Sequence, residues 1–372
     1  MTEPRPLALF VRWPARSGSP ERRAAATVAA FERLSVDLPD VHVAGLLIDG
    51  TAAPMPPDAI RSLLAAVEHR FGIAAGCEIT LETPPGEAAL FDGWAAAGCE
   101  ITLETPPGEA ALFDGWAAAG VNRLALCLGR FTRADHEALR AATGRFARVA
   151  ADLSYGWPGH ELASWRHVLE EVARSGAGHV SLDEEAGDGD EAADLYLLAD
   201  DVLGTAGLPR YETVNFARPG QESRQNEHVW LGGGYLGIGP AAVGRIDRAG
   251  ERIATTGHAD DEAWLAAVEA GGDGLAERIR LDPATRRDEL FVSALRRREG
   301  LPHAVAQAVL GRSIEDVVSA RALRMLTGDG FLDLDTQGLR ATDRGAVVLD
   351  SILVRLLEET GDPQPPRPSA RR

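Results

Sequence analysis

Six short apolar runs, alternating with stretches of helical spacing, restrict what this chain can fold into more than any other feature. The runs fall at 7–13, 41–49, 100–104, 121–128, 148–154 and 179–183. Residues 24–34, 57–71, 162–175 and 191–203 lie between or after them with helical patterning, as Ile60, Leu63, Leu64 and Val67 illustrate. Alternation of this kind calls for parallel strands joined by helical crossovers, because a tight turn cannot return the chain to a parallel neighbour. Runs that are apolar almost throughout suit strands covered on both faces. The expectation is an α/β fold built on a parallel sheet.

The third run is present twice. Residues 74–98 and 96–120 share the sequence AAGCEITLETPPGEAALFDGWAAAG at an offset of 22. Each copy carries a strand, a Pro-Pro-Gly turn and a short helix. A curved sheet has a fixed register, so an added strand must widen it or be expelled. The second copy runs directly into 121–128. Residues 100–104 are therefore expected to pair beside that strand, with 78–97 looped out or added irregularly.

A polar, glycine-rich stretch at 211–245 reads YETVNFARPGQESRQNEHVWLGGGYLGIGPAAVGR. Its glycines at 232, 233, 234, 237 and 239 permit positive φ and close backbone approach, and on residue types alone they would close a sheet edge. The wording resembles the Y-E-I-S-N-F-A…H-N-x-x-Y-W-x-G-x-Y-L-G-x-G block of the oxygen-independent coproporphyrinogen III oxidase family of radical S-adenosylmethionine (SAM) proteins, most closely its heme-chaperone branch. GVNRLALCLGRF at 120–131 and DLSYGWPG at 152–159 resemble two further blocks of that family.

The resemblance implies an open (β/α)6 partial TIM barrel over 1–245 and a winged-helix-like helical domain at 285–360; the residues themselves read as a connecting segment at 246–284, mixed helix and loop over 248–281, and as a disordered tail at 361–372. In that last domain the residues suggest a capping box at Thr285 and Asp288, helices at 303–310 and 313–328, a hairpin, and a helix at 343–359. The resemblance also implies SAM contacts from Gly50, Thr51, Glu104 and Asp152. Heme or substrate contacts would come from Tyr211, Asn215, Asn226, His228 and Trp230. Read alone, Asp152 serves equally well as a turn cap and His228 as a surface histidine.

The chain departs from the family where the chemistry is done. Family members follow the first strand with C-x-x-x-C-x-x-C, whose thiolates hold a four-iron cluster. Here the loop at 15–23 reads ARSGSPERR, with Arg16, Pro20 and Arg23 at the cysteine positions. A glutamine of the block at 120–131 becomes Gly129, and H-N-x-x-Y-W becomes Gln225-Asn226-Glu227-His228-Val229-Trp230. If that segment is a strand, moving the histidine three places turns it to the opposite face. Cys127, within an apolar run, reads as a buried, inert thiol.

These departures lead to the expectation of a non-catalytic relative without a cluster, in which SAM binding is weak or lost and heme, or a heme-accepting protein, is the partner. An active coproporphyrinogen-oxidase-like enzyme of porphyrin biosynthesis and an inert, degenerate paralogue are the alternatives. Composition narrows the rest. All 38 basic residues are arginines, which excludes Schiff-base chemistry on lysine and a Walker A phosphate loop. A net charge of −18 argues against a nucleic-acid partner. No apolar run approaches the ~18 residues of a membrane span, and the expected location is cytoplasmic.

Overall fold

The computed structural model describes residues 5–14, 17–49, 57–82, 102–105, 114, 123–146, 148–185, 189–248 and 250–358. The chain divides into two compact units, Met1–Val229 with Gly233–Leu281, and Trp230–Gly232 with Asp282–Arg372. In the first unit strand and helix alternate as expected: β1 (Arg5–Arg12), α1 (Pro20–Ser35), β2 (Val41–Asp49), α2 (Pro57–Phe71), β3 (Ile73–Glu82), β4 (Thr102–Thr105), β5 (Arg123–Gly129), α3 (Arg133–Thr143), β6 (Arg148–Tyr155), α4 (Leu162–Ser175), β7 (His179–Glu184) and α5 (Gly189–Thr205).

The helices begin where local chemistry allows. Ser19 caps α1 by accepting the Arg22 N–H at 3.3 Å, and Pro20 opens the helix at a position with no N–H to satisfy. Thr132 and Asp135 form a reciprocal capping box on α3, a helix for which the sequence reading made no claim. Leu9, Leu46 and Ile48 on the strands and Phe31, Leu63 and Val67 on the helices are fully buried. Each such side chain contributes roughly 1.5–3 kcal/mol.

β1, β2 and β3 pair in parallel, and β4 to β7 form a second parallel set. This is the expected α/β arrangement of parallel strands joined by helical crossovers. The second repeat copy, β4, pairs with β5 as foreseen. The first copy is not looped out over 78–82: it pairs with β2, Leu46 opposite Ile79 and Ile48 opposite Leu81. The remainder of 83–97 lies outside the described residues, as do Gly50 and Thr51.

The glycine-rich stretch completes the unit. β8 (Asn215–Ala217) runs antiparallel to β7, α6 (Arg224–Trp230) follows, and β9 (Gly234–Ile238) pairs in parallel with β1. β10 (Val243–Arg248), β11 (Glu251–Gly257), α7 (Asp261–Glu269) and β12 (Leu275–Arg280) extend that sheet antiparallel. Mixed helix and loop was expected beyond 248. Instead Gly250, at φ +84°, turns β10 into β11, and the β-branched Ile246, Ile253, Thr255 and Thr256 favour strands on both sides.

The second unit holds α8 (Pro283–Ala294), β13 (Leu301–Pro302), α9 (His303–Leu310), α10 (Ile314–Val317), α11 (Ala320–Gly328), β14 (Leu332–Leu334), β15 (Gly338–Ala341), α12 (Asp343–Ala346) and α13 (Leu349–Leu357). Three corrections concern its helices. Asp282, not Thr285, caps α8, accepting the N–H groups of Ala284 and Thr285 at 2.9 Å each. The helix expected at 313–328 is two, because Val318 is extended and Ser319 caps a fresh start. The helix expected at 343–359 likewise breaks at Val348. Among the described residues no helix is long and apolar enough to cross a membrane.

Candidate functional site

Alternation along the second set of strands creates a polar face. Leu124, Leu126 and Leu128 of β5, Val149, Ala151 and Leu153 of β6, and Val180 and Leu182 of β7 are buried on one side. Cys127, Asp152 and Ser181 come up on the other, in adjacent register. Cys127 is exposed there, its Sγ 4.0 Å from Asp152 Oδ2. The expected buried thiol is thus corrected: its place in the alternation, opposite Leu126 and Leu128, decides its exposure. Glu104 lies in β4, in register with Ala125 and two strands from Asp152. On the first set, Arg12 and Asp49 pair at 3.7 Å at the ends of β1 and β2.

Two of the heme candidates are tied into the lower end of this face. The Tyr211 hydroxyl is 2.8 Å from His179 Nε2 and accepts the Ser223 N–H at 3.4 Å. His179 is buried, and burial, reinforced by the positive Arg123 and Arg148, lowers its pKa to about 3. Asn215 accepts from Ser181 Oγ at 2.9 Å and donates to Glu212 Oε2 at 2.8 Å. Glu212 is fully buried and also accepts the Val214 N–H. These residues hold β8 against β7, while the buried His179 Nδ1 has no partner among the described residues.

Gln225, Asn226 and His228 lie on α6, where a strand was assumed. On a helix, residues three apart share a face, so His228 stands one turn beyond Gln225 on the same side. Ser223 starts the helix, accepting the Asn226 N–H at 3.4 Å. Gln225 is buried against Gly45 of β2, and neither end of its amide has a partner. His228 Nε2 donates to the Gly234 carbonyl at 2.9 Å. Its ring fills the space beside Gly233, where a Cβ would come within 2.3 Å of it. Burial lowers the His228 pKa, while the bond to Gly234 acts in the opposite sense. Trp230 ends α6 and is grouped with the second unit.

Sequence reasoning missed a stack at the carboxyl ends of β5 and β6. Trp157 lies between the Arg130 guanidinium, 4.7 Å from its ring centroid, and the His160 ring at 3.6 Å. Arg130 also forms an ion pair with Glu185 beyond β7. Only the Gly-Trp-Pro-Gly turn at 156–159 hinted at it.

Residues 281–348 match the family model described as the HemN C-terminal domain. Radical S-adenosyl methionine domain-containing protein 1, mitochondrial, of Danio rerio is 30% identical over 358 residues, covering 83% of this chain and 74% of that protein. The heme chaperone HemW of Mycobacterium tuberculosis (strain ATCC 25618 / H37Rv) is 28% identical over 366 residues, 92% of this chain and 89% of that one. Among solved structures, coproporphyrinogen III oxidase (HemN) of Escherichia coli, a radical SAM enzyme, superposes with a TM-score of 0.65 at 19% identity, covering 94% of this chain and 90% of the other.

Proposed function

The chain belongs to the radical SAM family that joins oxygen-independent coproporphyrinogen III oxidases with HemW-like proteins, and we propose that it is a heme-handling member without the cluster or its radical chemistry. The stretch after β1 carries this reading. A four-iron cluster open to SAM needs three thiolates, and the positions that would supply them hold Arg16, Pro20 and Arg23. Pro20 is the first residue of α1. Arg23 lies over the Trp13 ring at 5.3 Å and donates to the Pro14 carbonyl at 2.7 Å. Neither can ligate iron, so the residues present do not fit the group. Reductive cleavage of SAM is absent from the proposed activity, and any SAM contact by Gly50, Thr51, Glu104 and Asp152 is vestigial.

Heme, or a protein that accepts it, is the proposed partner. His228 is the candidate ligand on α6: its Nε2–H is held by Gly234, which leaves Nδ1 as the nitrogen with a lone pair. Tyr211 and Asn215 would shape the neighbouring face through the network described above, with Asn226 and Trp230 on the same helix as His228. Titration of the purified chain with hemin tests the reading. A Soret band that saturates in the parent and weakens markedly in His228→Ala is expected. An unchanged band in His228→Ala removes the histidine from the account, and no band in the parent removes heme.

A further inference from the structure

We propose that Trp13 and Arg23 form a binding site for a small oxyanion, a carboxylate or a phosphate, just beyond the carboxyl end of β1. This deepens the functional reading and rests on it, since it gives this stretch a ligand other than a cluster. The Trp13 side chain is buried, 3% exposed, and its indole N–H has no acceptor. Arg23 stacks over the same ring, and its Nε–H is also buried without an acceptor. Buried donors left unsatisfied cost about 1–3 kcal/mol each, more on a charged group. Both missing partners are acceptors. A ligand that only accepts would supply the partner each donor lacks, and the guanidinium fork suits carboxylate and phosphate oxygens.

The surrounding charges agree. Asp49, at the end of β2, is engaged by Arg12 at 3.7 Å. Glu21, in the first turn of α1, is hydrogen-bonded to Ser19 and feels the Arg23 charge. Among the described residues no carboxylate lies within ion-pair distance of Arg23, although the chain carries 56 acidic residues. The location is also the end of the strands at which α/β barrels bind their ligands.

Calorimetric titration of the full chain with sodium acetate and with sodium phosphate, at ionic strength fixed by sodium chloride, reads the site. Saturable binding of one of the two is expected, and which one responds identifies the anion. Arg23→Gln should weaken it about tenfold or more, the loss of a charge-assisted bond. Trp13→Phe, which keeps the ring and deletes the N–H, should weaken it less, and it carries the test if circular dichroism shows Arg23→Gln unfolded. Anions indistinguishable from chloride, or folded variants that bind like the parent, overturn the site. Iron and sulfide measured on the same sample separate the two failures. Iron-free protein that ignores anions rejects the site alone, whereas stoichiometric iron rejects the functional reading.

Discussion

His179 gives the molecule a pH dependence that can be worked out from its surroundings. Burial lowers its folded pKa from 6.5 to about 3. Above about 6.5 neither the folded nor the unfolded imidazole is charged, so this group leaves stability independent of pH. As the pH falls from 6.5 towards 3 the unfolded chain takes up a proton that the native state refuses, and stability is lost by at most about 1.4 kcal/mol per pH unit. His160 and His228 are lowered too and act in the same sense. Urea midpoints should therefore fall between pH 6.5 and 5, above the range in which carboxylates titrate, and fall less steeply in His179→Gln. A flat profile in the parent would contradict the assignment. Composition shows nothing of this, because what neutralises His179 is its place at the start of β7 beneath Tyr211. His228 was visible as a residue, but its face was misjudged because α6 was read as a strand. Cys127 was misjudged in the opposite way: an apolar run suggests burial, while alternation gave it to the polar face.

At the scale of elements the repeat is the informative case. Its two copies carry the same side chains, and each has one sheet neighbour among the described residues, β2 for β3 and β5 for β4. Deleting residues 76–97 leaves one intact copy, which could pair with β2 and β5 at once. The ladder would be kept and a connecting loop removed, a small entropic gain. The deletion variant should melt at or above the temperature of the parent. A drop of more than several degrees would show that the molecule depends on both strands. Strands and helices flanked by apolar periodicity and caps were legible, α2 and α4 to the residue. The glycine ladder was legible as a place of close approach but not in its pairing. Gly239, at φ +119°, admits the Arg12 carbonyl where a Cβ would lie 2.0 Å away, so β9 could join β1 only with glycine there. That contact joins residues far apart in sequence, and no local pattern announces it.

For the whole molecule, the succession of strand, helix and family wording was enough to foresee a partial barrel followed by a helical unit. The extension of the first sheet through β10, β11 and β12 was not foreseen, because short strands around a single turn carry little periodic signal. Under the proposed function, this barrel keeps its architecture and a heme-related signature but not the means to hold an iron–sulfur cluster. Anaerobic reconstitution with iron and sulfide, followed by desalting and assay of both elements, tests it directly. No stoichiometric iron or sulfide on the purified chain, and no cleavage of SAM under reducing conditions, is the expected result. About four irons and four sulfides per chain, the complement of a radical SAM cluster, would contradict it.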